Sequence, residues 1–171
     1  VTAMSPARTR LKDFLTGTVK EDNIIYEQYY LPLKIDSKVN DTYGVTTSVF
    51  AYDHNPSGNG SGYYIGRLKS KTETRQAYGD SQSGKQEYTD ENNHIKTFKK
   101  WNRDNTGYLL ETYTYDGFGN ITGKTLSNNI DSQVRTTSSQ YDPTGRFVIK
   151  RTDHLGLSTQ ITYTAIGQVL T

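Results

Sequence analysis

Tyr115-Asp116-Gly117-Phe118-Gly119 and Tyr141-Asp142-Pro143-Thr144-Gly145 spell one phrase, Tyr-Asp-x-x-Gly, and Tyr163-Thr164-Ala165-Ile166-Gly167 repeats it with threonine for aspartate. The last two begin 22 residues apart and the first two 26, a length that suits one antiparallel hairpin and therefore an array of similar units. Asp at the first turn position accepts hydrogen bonds from backbone N–H groups further on, and Gly at the fourth tolerates positive φ. Pro143 holds φ near the value that its turn position needs. The tyrosine ends one strand, and the pair after the turn, Asn120-Ile121, Arg146-Phe147 or Gln168-Val169, begins the next.

The same turn without the tyrosine recurs as Asp41-Thr42-Tyr43-Gly44, Asp104-Asn105-Thr106-Gly107 and Asp153-His154-Leu155-Gly156. From Asp142 to Asp153 to Thr164 the steps are 11 and 11, which leaves about seven residues between turns, near the usual strand length. Successive turns then lie at opposite ends of a meander. Leu157, Thr159, Ile161 and Tyr163 alternate as one face of a half-buried strand, and Val45 to Tyr52, Tyr108 to Tyr115 and Arg146 to Thr152 read likewise.

These residues carry a family resemblance. Tyr-Asp-x-x-Gly followed by Arg or Asn and then an apolar residue resembles the YD repeat of Rhs proteins, insecticidal toxin complexes and teneurins. The likeness covers residues 104–171 well, 41–75 loosely through Tyr52-Asp53 and Gly66-Arg67-Leu68, and the first 40 residues hardly at all. It implies hairpins that coil into a long β-sheet and close into a hollow shell, often around a toxic C-terminal domain. The expected fold is all-β, a repetitive array of antiparallel hairpins in a curved or spiralling sheet. Three regions are expected: an N-terminal segment 1–40, degenerate hairpins over 41–103, and YD-type hairpins over 104–171.

The repeat residues Tyr115, Asp116, Gly119, Tyr141, Asp142, Gly145, Asp153, Gly156, Tyr163 and Gly167 are expected to be structural. Thr164 departs from the family aspartate, and 171 residues supply only a handful of hairpins, so a closed container is not expected from this chain alone. Val1 at the start and a stop at Thr171, inside the strand after the last turn, read as a slice of a longer protein.

Composition agrees with an extended wall. Hydrophobic residues make up 32% and the mean hydropathy is −0.79, and a sheet solvated on its faces needs fewer apolar residues than a sandwich. Cysteine is absent, which removes disulfides and thiolate chemistry. No apolar run reaches membrane-spanning length, and the residues before the first turn do not show the charged-then-apolar pattern of a leader. Twenty basic residues nearly balance 18 acidic ones, a net of +2, so strong attraction to nucleic acid or anionic lipid is not expected.

One helix is expected near the start, with Ser5 as cap, Pro6 at its first position, Leu11, Phe14 and Leu15 on one face, and Gly17 at its end. Strand-forming Asn23-Ile24-Ile25-Tyr26 and Tyr29-Tyr30-Leu31 follow, with Pro32 at a strand end or edge. Asn55 to Gly62, Tyr78 to Gly84 and Ser127 to Ser132 read as loops.

Motifs for chemistry are weak against this background. Gly123-Lys124-Thr125 lacks the glycine five positions upstream that a phosphate loop needs, since Phe118 stands there. Of His54, His94 and His154, the two beside Asp53 and Asp153 occupy turn positions and read as solvated turn residues, and Glu73, Glu87, Asp90, Glu91 and Glu111 are scattered. Lys96-Thr97-Phe98-Lys99-Lys100-Trp101-Asn102-Arg103 interleaves four basic residues with two aromatics, yet reads as a strand with Trp101 packed and its lysines guarding the sheet against aggregation. Fourteen tyrosines leave open a carbohydrate-binding or cell-adhesion module using tyrosine-rich sheet surfaces, while cross-strand packing explains their recurrence.

The reading is a non-catalytic wall segment of a secreted or bacterial surface protein, without cofactor or metal, that encloses a toxin or displays a contact surface. Its partners would be the remainder of a larger polypeptide, as cargo or further repeats, with glycans or a receptor as the alternative. Gly145→Val is expected to destabilise the array through its turn, and His154→Ala to change stability by no more than about 0.5 kcal/mol. Thermal melts ranking these two the other way would remove the turn assignment.

Overall fold

The computed structural model describes residues 6–40 and 44–170. Among them, twelve strands form a single open antiparallel sheet whose strand order follows the chain, the all-β hairpin array that the turn spacing predicts. The strands are β1 (Arg8–Lys12), β2 (Val19–Tyr26), β3 (Pro32–Val39), β4 (Val45–Asn55), β5 (Tyr64–Ala77), β6 (Asp80–Glu91), β7 (His94–Trp101), β8 (Tyr108–Tyr115), β9 (Ile121–Asn128), β10 (Arg135–Tyr141), β11 (Val148–Thr152) and β12 (Ser158–Gln160). One 3-10 turn, Gly60–Gly62, interrupts the long connection after β4. The chain divides into two compact units, Val1–Tyr88 with Lys100–Thr106, and Thr89–Lys99 with Gly107–Thr171.

Neither unit has an interior. No hydrophobic or polar side chain is fully buried among the described residues, so stability comes from ladder hydrogen bonds and half-buried cross-strand contacts. In the first unit, acidic and basic residues two apart on a strand pair along one face, as in Lys34–Asp36 at 2.7 Å, Lys71–Glu73 at 3.0 Å and Lys85–Glu87 at 2.6 Å. Strand periodicity explains the spacing, because every second side chain shares a face. Exposed β1 presents Arg8, Arg10 and Lys12, and β12 is three residues long; charge and brevity are two ways in which sheet edges resist further pairing.

The N-terminal helix is not there. Arg8–Lys12 forms β1 and pairs with β2 from Arg8 opposite Asn23 to Lys12 opposite Val19. Asp13 then opens a turn: its N–H donates to Thr18 O at 2.8 Å, its carboxylate accepts from Leu15 N at 2.9 Å, and Gly17 takes φ 72°. The helix-stop glycine is a turn glycine, and a partner strand outweighs the capping signals; Ser5 lies outside the described residues.

Other boundaries differ for similar reasons. Tyr29-Tyr30-Leu31 is a turn, and Pro32 starts β3. Tyr78 and Gly79, at φ 53° and 85°, make a two-residue hairpin turn, so polar Asp80 to Gly84 belongs to β6, whose two solvated faces need no apolar residues. Ser127 and Asn128 still belong to β9. Arg146 and Phe147 remain in the corner ahead of β11, and the strand expected over 157–163 shrinks to β12 plus a bridge between Tyr163 and Val169. The turn expected from Asp104 starts two residues earlier, where Asn105 N donates to Asn102 O at 3.2 Å and Asn105 takes φ 55°. Asn102 supplies the accepting side chain, and Thr106 N reaches its Oδ1 at 3.0 Å. In the turn expected over Asp41 to Gly44, residues 41–43 lie outside the described residues.

Five tyrosine hydroxyls share one role. Tyr26 donates to Pro6 O at 3.0 Å, Tyr52 to Pro32 O at 3.1 Å, Tyr115 to Ile95 O at 2.7 Å and Tyr141 to Ile121 O at 3.3 Å, each one hairpin back at a separation of 20 residues. Tyr163 reaches Val148 O at 2.9 Å across 15 residues. All five rings are half-buried. Tyr115→Phe and Tyr141→Phe are each expected to cost about 1 kcal/mol in urea unfolding, the worth of one net hydrogen bond, while Tyr78→Phe, at an 88% exposed turn residue, leaves the midpoint unchanged.

Candidate functional site

The repeat residues gather into corners of common geometry. At Asp116 the main-chain N–H donates to Asn120 O at 3.0 Å and Gly119 N returns to Asp116 O at 3.1 Å, while Oδ1 accepts from Phe118 N and Asn120 N, each at 2.9 Å. Asp153 repeats the pattern, its Oδ1 accepting from Leu155 N and Leu157 N at 2.9 Å each. Asp142 Oδ1 accepts from Arg146 N and Phe147 N at 2.8 Å each. Thr164 fills the aspartate's place: Gln168 N donates to its Oγ1 at 3.0 Å, and Gly167 N reaches Thr164 O at 2.9 Å.

A further copy was not legible as Asp-x-x-Gly. Tyr26-Glu27-Gln28-Tyr29-Tyr30 makes the same corner, with Glu27 Oε1 accepting from Tyr29 N at 2.9 Å and Leu31 N at 3.3 Å. Tyr30, at φ 61°, occupies the glycine position. An acidic residue directly after a strand-ending tyrosine was the available signal.

Along the tyrosine-led rim of the second unit, each corner packs on the next. A Cβ on Gly119 would stand 2.7 Å from His94 Nε2, one on Gly145 2.5 Å from Phe118 Cδ2, and one on Gly167 2.9 Å from Phe147 Cζ. Asn120 Nδ2 also donates to Gly145 O at 2.8 Å. His94 lies 4.6 Å from the Tyr115 ring, and Phe147 lies 4.8 Å from Tyr163. In the first unit Leu31 Cδ1 would meet a Cβ on Gly66 at 2.6 Å. Glycine therefore serves close approach as well as φ.

His54 is not the solvated turn residue expected. His54 Nδ1 accepts from Gly66 N at 3.1 Å, its Nε2 lies 3.6 Å from Glu27 Oε2, and the Tyr29 ring lies 4.6 Å away, tilted by 45°. His94 Nδ1 lies 2.8 Å from Asn92 O. His154 is exposed in its turn, as expected.

The carboxylates expected to be scattered are bound into separate pairs. Glu73 meets Lys71 and Arg75, Glu91 meets Lys96 at 2.9 Å, and Glu87 accepts from Trp101 Nε1 at 2.7 Å. Glu111 holds Lys124 at 2.9 Å and accepts the Tyr113 hydroxyl. Burial first, and the Glu111 carboxylate second, push that hydroxyl up to about 12, far from a pKa suited to a base at neutral pH. Gly123-Lys124-Thr125 lies inside β9, without the helix that a phosphate loop opens. Among the described residues no group of three or more His, Cys, Asp or Glu could hold a metal ion.

One concavity of the first unit is an open cleft of about 290 Å3 lined by Lys71, Arg75, Gln82, Gln86 and Lys100, with Trp101 contributing. No helix among the described residues is long and apolar enough to cross a membrane.

No protein-family model matches the chain. No curated protein matches it.

Gly145 and Gly156 both take left-handed φ, 70° and 83°, but nothing lies within 4 Å of a Cβ on Gly156. Gly156→Ala is expected to cost about 1 kcal/mol and Gly145→Ala about 2–4 kcal/mol, with the excess relieved in a Phe118→Ala background. Equal costs would remove the stacking role. A second outcome concerns acid. The Thr144 hydroxyl and then the Phe147 N–H hold Asp142 down to about 2, against 3.8 ordinarily. Its folded value is the lower one, so its contribution is complete above about pH 4 and disappears as pH falls toward 2. Asp142→Asn should flatten that part of a stability-against-pH curve.

Proposed function

We propose that this chain is a non-catalytic segment of wall from a YD-repeat shell of the Rhs type, belonging to a secreted or bacterial cell-surface protein. Its partners are the rest of a longer polypeptide, further repeats or a toxin cargo, and its work is steric: it separates two compartments or presents a surface. The observation that carries this reading is the corner-on-corner contact, His94 over Gly119, Phe118 over Gly145 and Phe147 over Gly167. Such a contact passes from each hairpin to the next without requiring an interior, which suits an extended wall. The absence of fully buried side chains among the described residues accords with a one-layer sheet.

The alternative, a carbohydrate-binding or adhesion module built on tyrosines, requires exposed ring faces side by side. The repeat tyrosines are half-buried with their hydroxyls on backbone carbonyls. The strongly exposed ones, Tyr30, Tyr63 and Tyr78, sit on separate turns and loops, which favours the wall.

The test is the polypeptide that carries this chain. Electron cryomicroscopy and limited proteolysis should show these residues in the wall of a chamber, with the enclosed segment resisting protease until the wall is opened. An open, protease-sensitive arrangement with nothing enclosed would reject the cargo reading, and hydrolytic activity of the purified chain, lost on a point substitution, would reject the non-catalytic one.

A further inference from the structure

In the first unit, strand register places Lys71 opposite Gln86, Glu73 opposite Gly84 and Arg75 opposite Gln82. Opposite residues share a face, so two amides and two cations surround a position that has no side chain. A Cβ on Gly84 would have nothing within 4 Å, and the gap it leaves is the cleft of about 290 Å3, near the lower end of ligand-site volumes.

The charges there do not cancel. Lys71 and Arg75 share one carboxylate, Glu73, at 3.0 and 2.9 Å, and the Lys71 hydrogen bond first among the causes keeps that carboxyl below its ordinary range. Lys85, which meets Glu87 at 2.6 Å, follows Gly84 directly and so projects from the other face of the sheet. Lys100 lines the same cleft, is exposed, and has no ion-pair partner among the described residues. Three cations, Lys71, Arg75 and Lys100, therefore stand beside one carboxylate, Glu73, and an incoming anion finds uncompensated positive charge together with the amides of Gln82 and Gln86.

The aromatic rings nearby are already covered. Lys85 Nζ stands 5.7 Å from the Trp101 ring centroid, the indole N–H is tied to Glu87, and Lys71 Nζ stands 5.8 Å from Phe50. Nucleic-acid bases and neutral sugars both depend on open aromatic faces, so neither suits this place. A ring carrying hydroxyls and an anionic group does: Lys100 and Arg75 meet the charge, and the two glutamines supply donors and acceptors for hydroxyls.

We propose that the cleft over Gly84 binds an acidic saccharide, a sugar unit bearing a carboxylate or sulfate, with Lys100 and Arg75 as its anion contacts. The site does not depend on the wall reading. Trp101 is the chain's one tryptophan and contributes to the cleft, so its fluorescence reports occupancy.

Purified chain is titrated with heparin oligosaccharide, oligogalacturonate, neutral dextran and a single-stranded oligonucleotide of matched charge. Saturable binding is expected for at least one acidic saccharide and absent for dextran. Lys100→Gln should weaken it about tenfold, and Gly84→Leu, which fills the gap without a backbone clash, should abolish it with an unchanged melting temperature. Lys12→Gln, at the distant exposed edge strand, should change nothing. No saturable binding, full affinity in Gly84→Leu, or equal binding of the oligonucleotide with equal sensitivity to Lys100→Gln would each overturn the proposal, the last by marking generic attraction of polyanions.

Discussion

A sheet with no interior has to hold its register at its rims, because no layer of side chains behind it penalises a slip. Here a single side-chain oxygen at each corner accepts two backbone N–H groups that the turn would otherwise leave to water, as Asp116 and Asp153 do. The role belongs to the acceptor and not to aspartate as such. Glu27 performs it with a longer arm, Asn102 without charge, and Thr164 through a hydroxyl and one bond. Corners of this kind fix where each strand ends, and the strand pairing follows from that.

The second constraint acts between hairpins. A tyrosine at a strand end reaches one hairpin back to a carbonyl, and a ring from one corner settles on the glycine of the next. Both contacts are short and directional, and both repeat with the hairpin. A structure stabilised in this way can be extended by adding units, in contrast to a globular core, which closes on itself.

The faces between the rims are free to vary. Ion pairs two residues apart, such as Lys34–Asp36, satisfy charge on a solvated surface where each contributes little, so composition can change without loss of fold. One place on these faces has a gap in its side-chain cover and surplus charge beside it, at Gly84. Such a gap is where a wall can acquire a binding role without altering its architecture.

Turn chemistry and period-two alternation were enough to specify an antiparallel hairpin array, because Asp at the first corner position and Gly at the fourth act locally. Tyr108 to Tyr115 is a strand with the expected bounds for that reason. The N-terminal helix failed because Pro6, Leu11 and Gly17 satisfy helix-boundary rules equally well, and only the partner strand from Val19 decides for β. Polar Asp80 to Gly84 looked like a loop because a strand solvated on both faces carries no hydrophobic alternation. The second role of Gly145 depends on Phe118, 27 positions earlier, and the cleft depends on a glycine facing Glu73 across β5 and β6. Propensity sets where the chain turns, since a turn is made by neighbours. Which side chain meets which glycine is set by pairing between strands, and no local pattern encodes that distance.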